Sequence, residues 1–167
     1  VCAFNLALRA CGNTGDDTLS AVPVYPPFLT APSNFERNLI RVPLALEDDR
    51  WSLDFDAMEA AVTARSRVFL FCHPHNPVGM AFTRSELERF AEFCLGHDLV
   101  ACSDEIHCDL ILEEGAEHVP LAALSPEIAD RTITLMAPSK TFNLAGFGCS
   151  FAIISNTQLR ARYKKAA

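Results

Sequence analysis

A chain of 167 residues, half of them hydrophobic, can enclose one domain with a real core and is too apolar to be disordered. Fourteen Lys and Arg against twenty-one Asp and Glu give a net charge of −7, a sign that repels phosphate backbones and argues against nucleic acid as a partner. No apolar run is long enough to span a bilayer and no signal peptide is visible, so no membrane partner is expected. The seven cysteines are an odd number without a C-x-x-C spacing. Cys72, Cys94, Cys102 and Cys149 lie in apolar runs and read as small hydrophobes, which suits reduced thiols in the cytoplasm.

In chain order, Ala3 to Cys11 reads as the end of a helix closed by Gly12, and Thr18 to Val22 as a short strand. Pro23, Pro26 and Pro27 then hold Tyr25 on a stiff loop, since proline cannot continue a ladder. Phe28 to Arg37 has helical character despite Pro32, and Asn38 to Leu46 is strand-like up to a polar turn at Glu47 to Arg50. Asp54 can cap a helix over Phe55 to Ala64. Val68 to Cys72 is a continuous apolar run, as expected of a strand covered on both faces. Thr83 and Glu86 form a capping box that opens a helix to about Gly96.

Leu99 to Cys102 reads as another buried strand, and Leu110 to Leu112 as a short one. Ser125, Pro126 and Glu127 start a helical turn. Arg131 to Met136 and Cys149 to Ile154 are the next strands, and Gln158 to Lys165 is an amphipathic helix. Strand alternating with helix predicts an α/β fold, a mostly parallel sheet with helices on both faces, and one layer system accounts for residues 1–167. The chain starts and stops inside helical patterns, so it is expected to be a piece of a larger protein.

In such sheets ligands sit outside the carboxyl ends of the strands. Three consecutive apolar runs end there in a polar residue: Asn76, Asp104 and Lys140. Lys140 has no charged neighbour between Arg131 and Arg160. A lysine desolvated in apolar surroundings is more readily neutral, and a neutral amine attacks an aldehyde. Pyridoxal 5'-phosphate needs such a lysine for a Schiff base and an acid against its pyridine nitrogen. Asn76 can donate to its phenolic oxygen, and Tyr25 can stack on its ring.

Four motifs carry a family resemblance: VPVYPPF from Val22 to Phe28, HNPVG from His75 to Gly79, SDEIH from Ser103 to His107, and SKTFN from Ser139 to Asn143. In this order they resemble the pyridoxal-phosphate enzymes of the class I/II aminotransferase superfamily, fold type I, and most closely its cystathionine β-lyase or C–S lyase branch. The resemblance implies a large-domain core with Lys140 as Schiff-base lysine and proton shuttle, Asp104 at the ring nitrogen, Asn76 at the phenolic oxygen and Tyr25 as the stacking ring. It also implies a small-molecule amino-acid substrate and a homodimer in the full-length protein. His107 stands where many aminotransferases have tyrosine. Ala137 and Gly148 stand where a serine and an arginine often bind the phosphate, leaving Ser139 as the substitute. The resemblance favours C–S cleavage of cystathionine- or cysteine-type amino acids to pyruvate, ammonia and a thiol, with transamination the alternative.

Two other readings compete. Cys72, His73, His75, His107 and Cys108 are possible metal ligands near one sheet edge, although no standard zinc spacing occurs and no metal is expected. The other is a non-catalytic domain, a fragment with no activity of its own.

Overall fold

The computed structural model describes residues 1–112 and 114–167. Its strands are β1 (Asp17–Val22), β2 (Asn38–Glu47), β3 (Arg50–Leu53), β4 (Ser66–Cys72), β5 (Val100–Asp104), β6 (Thr132–Met136) and β7 (Phe151–Ile153). They form one sheet in the order β3-β2-β1-β4-β5-β6-β7. The central pairs are parallel, and β3 and β7 are antiparallel edges. The helices are α1 (Cys2–Ala10), α2 (Pro26–Thr30), α3 (Phe55–Ala61), α4 (Arg84–Gly96), α5 (Pro126–Ala129) and α6 (Thr157–Ala166). Among the described residues no helix is long and apolar enough to cross a membrane.

Alternation along β4 explains the layering. Phe69 and Phe71 enter one core with Leu87, Phe90 and Cys94 of α4, while Val68, Leu70 and Cys72 enter the other with Phe4, Ala7 and Leu8 of α1 and Leu159 of α6. Phe90 stacks on Phe71 with ring centroids 4.1 Å apart. The capping box forms as the sequence predicts: the Thr83 side chain accepts from the Glu86 N–H and the Glu86 carboxylate from the Thr83 N–H. The Asp54 cap forms too, accepting from the Ala57 N–H at 2.9 Å, but α3 stops at Ala61 rather than Ala64.

Several expectations are corrected. Asp48 and Asp49 both take positive φ, 48° and 60°, so the polar turn is a tight hairpin and Arg50–Leu53 returns as β3. Tyr25 lies in a loop behind Pro23, as expected, but Pro26 and Pro27 belong to the helix that follows and open α2, because proline fits the first helical turn. Leu110 to Leu112 is not a strand; Leu112 is exposed. Cys149 is exposed, and the segment after it runs antiparallel to β6. No helix long enough for a crossover separates β6 from β7, so the chain turns back on itself.

Candidate active site at the carboxyl edge of β4, β5 and β6

Strand register builds the site. Cys72, Asp104 and Leu135 are cross-strand partners, so β4, β5 and β6 end at one level. Asp104 closes β5 on the α1 side, the side to which alternation sends Val100 and Cys102. The residue is half-buried, and desolvation pushes its carboxyl up to about 6; the Ile106 N–H, which Oδ1 accepts at 3.3 Å, and the ammonium of Val1 draw it down, and the Glu105 charge pushes it further up. A carboxyl desolvated in this way would be stabilised further, in its charged form, by a cationic partner.

The loop after β4 carries Asn76. Its N–H donates to the Cys72 thiol at 3.4 Å, so Asn76 and Asp104 both adjoin Cys72. Burial pushes that thiol up to about 12 and keeps it protonated. His75 ties two loops together, with Nδ1 3.1 Å from the Cys72 carbonyl and Nε2 2.8 Å from the Pro23 carbonyl. The second contact fastens the segment leading to Tyr25 against β4. Tyr25 itself occupies the N-cap of α2, with its ring 6.5 Å from that of Phe28 and 37% of its surface exposed.

The turn after Asp104 carries His107, which links the remaining pieces. Burial lowers its basicity, and the nearby Lys140 charge lowers it further, while the Pro74 carbonyl raises it. His107 therefore stands between Lys140 and the loop leading to Asn76. The lysine loop is pinned to the same turn by Thr141, whose hydroxyl donates to Asp109 at 2.7 Å. Within that loop the Leu144 N–H donates to the carbonyl of half-buried Ser139 at 2.8 Å. Lys140 is exposed, contrary to the expectation of a desolvated amine. The apolar neighbours that suggested burial, Phe142, Leu144 and Phe147, themselves face outward.

A cavity of about 920 Å³ adjoins this edge, between the β2–β3 hairpin and the loop from Pro74 to Arg84. Asn76 and His107 line it; Asp104 and Lys140 do not. The chemistry is better located by the strand ends than by this hollow, whose other walls, Trp51, Met80, Phe82 and Ile111 among them, are mainly apolar. The rival metal cluster does not assemble. Cys72 and His73 point to opposite sheet faces, and the His75 ring nitrogens face carbonyls. Among the described residues no group of three His, Cys, Asp or Glu is placed to hold a metal ion.

One buried acid escaped the sequence reading. Glu105 is 1% exposed and lies 2.7 Å from His118 Nε2. Strand alternation already separates it from Asp104, but its partner is thirteen residues away through an irregular loop.

A mostly parallel α/β sheet with an acid, an amide and a lysine at its carboxyl edge defines a domain of the kind that holds a cofactor outside the strand ends. The chain belongs to the class I and II aminotransferase family, whose model matches residues 2–167. The fold is fold type I, as the motifs implied. The chain is 38% identical over 164 residues to cystathionine beta-lyase PatB of Bacillus subtilis, covering 98% of this chain and 42% of that protein. It is 32% identical over 156 residues to glutamate-pyruvate aminotransferase AlaA of Escherichia coli, covering 93% of this chain and 38% of that protein. Cystalysin from Treponema denticola, solved with pyridoxal 5'-phosphate, superimposes with a TM-score of 0.93 at 41% identity, covering 98% of this chain and 42% of that one. The chain thus spans about two fifths of the length of these relatives.

Proposed function

We propose that residues 1–167 form the cofactor-binding large-domain core of a pyridoxal 5'-phosphate enzyme that acts on a small amino acid. The observation that carries this reading is the strand register that sets half-buried Asp104 on the middle of three strand ends, with Asn76 and Lys140 in the loops that follow the other two. Bound there, pyridoxal phosphate supplies an aldehyde for covalent attachment of an amine and an electron-withdrawing ring that takes up charge from the neighbouring carbon. Asp104 would lie against the ring nitrogen and hold its proton in place. Asn76 would donate to the phenolic oxygen, with His107 beside it on the cavity wall; Tyr25 would offer a ring face, and Ser139 would stand in for the missing phosphate ligands. Lys140 would attach the cofactor and move the proton at the substrate α-carbon. Its exposure suits a side chain that must release one partner and accept another.

Within that chemistry we favour C–S cleavage of cystathionine- or cysteine-type amino acids to pyruvate, ammonia and a thiol. Support comes from His107 in the SDEIH motif and from the 38% and 41% identities to PatB and cystalysin, against 32% to AlaA. Transamination is the second reading, since it starts from the same proton removal. The seven free thiols fit a reducing cytoplasm, and a homodimer is the assembly expected of the whole protein. Incubation with cystathionine, and separately with an amino acid plus a keto acid, tests the choice. Pyruvate and thiol from the first mixture support the lyase; amino-group exchange in the second, with no thiol from the first, refutes it.

A further inference from the structure

Behind Asp104, on the opposite face of β5, sits an acid the proposed chemistry does not use. Glu105 Oε1 accepts from the Ser103 hydroxyl at 2.8 Å and the Leu121 N–H at 3.2 Å, and Oε2 lies 2.7 Å from His118 Nε2. Its backbone is pinned as well. The Glu105 N–H donates to the Leu135 carbonyl of β6 at 2.9 Å, and the Glu105 carbonyl accepts from the Cys108 N–H at 3.0 Å. The residue between Asp104 and the His107 turn is therefore held at five points, whereas the Asp104 carboxyl receives one bond of 3.3 Å. A buried carboxylate this well satisfied is rigid, and removing any donor or acceptor leaves a buried polar group unpaired.

We infer that Glu105, clamped by His118, is a positioning residue: it fixes the backbone from which Asp104 and His107 project, so that both meet the cofactor at a set angle. The inference rests on the pyridoxal phosphate reading above. Its chemistry is specific about the pair. A neutral His118 has one N–H, which must sit on Nε2 to reach Glu105, and its Nδ1 is buried without a partner. In Glu105→Gln one of the two acceptor oxygens becomes an NH2, so the amide must meet either the His118 Nε2–H or the Leu121 N–H donor to donor. Misplacement of groups on a rigid site costs far more than its size in ångströms suggests.

The test titrates the protein with pyridoxal phosphate and records both Kd and the visible spectrum of the bound cofactor. Wild type is compared with Glu105→Gln, His118→Leu, His118→Gln (whose side-chain N–H can still reach Glu105) and Asp54→Ala, a destabilising control at the distant α3 cap. Glu105→Gln and His118→Leu should each raise Kd roughly tenfold and alter the band, while His118→Gln stays near wild type. Asp54→Ala should lower the melting temperature and leave Kd and spectrum unchanged. Wild-type Kd and spectrum in folded Glu105→Gln and His118→Leu would reduce Glu105 to a structural staple and overturn the inference. If Glu105→Gln fails to fold, equal affinities for His118→Leu and His118→Gln overturn it equally. A wild-type protein that takes up no cofactor, or whose spectrum survives Lys140→Ala, instead defeats the cofactor reading itself.

Discussion

Replacing Asp104 by asparagine should stabilise the cofactor-free protein and weaken the loaded one. The folded-state value of about 6 lies above the ordinary 3.8, so between those values the folded chain holds a proton that the unfolded chain has lost. Stability therefore falls as pH rises through this window, and the full penalty is present above it. The gap corresponds to about 2 to 3 kcal/mol once solvent contact at this half-buried residue is allowed for. Asp104→Asn carries no such penalty. By urea denaturation without cofactor it should match wild type near about pH 4 and exceed it by about 2 to 3 kcal/mol near about pH 8. With saturating pyridoxal phosphate the order should narrow or reverse, because only wild type gains a charge partner for its carboxylate. A constant difference between the two proteins across that pH range would refute the placement of this acid.

Other consequences follow from the same contacts. Thr83→Ala removes half of the capping box of α4 and should cost about 1 kcal/mol in urea denaturation. Phe90→Ala, which empties the stack on Phe71, should cost about 3 to 5 kcal/mol by the same measurement. In native thiol titration Cys2 and Cys149, both exposed, should react first. Cys11 and Cys72, pushed by burial to about 11 and about 12, should react only on unfolding.

Much of this arrangement can be read from the chain because apolar runs announce buried strands, and the polar residues that follow each run fall at the carboxyl edge of the sheet. The placement of Asn76 and Asp104 at that edge was legible for that reason, and the Asp54 and Thr83 caps because capping chemistry is local. What was hidden depends on three-dimensional company. Four residues are too few for β3 to show a pattern, although two aspartates tolerant of positive φ did mark its turn. Apolar neighbours in sequence did not bury Lys140, since Phe142, Leu144 and Phe147 turn outward together. The Glu105–His118 pair joins a strand end to an irregular loop, and no periodicity connects such positions.

The most direct measurement is to incubate the protein with pyridoxal phosphate, reduce it with borohydride so that any attached cofactor becomes permanent, and locate the adduct by peptide mass spectrometry. The proposed chemistry predicts a single adduct at Lys140, absent from Lys140→Ala. Labelling confined to Lys164 or Lys165 at the end of α6, or persisting in Lys140→Ala, would contradict it.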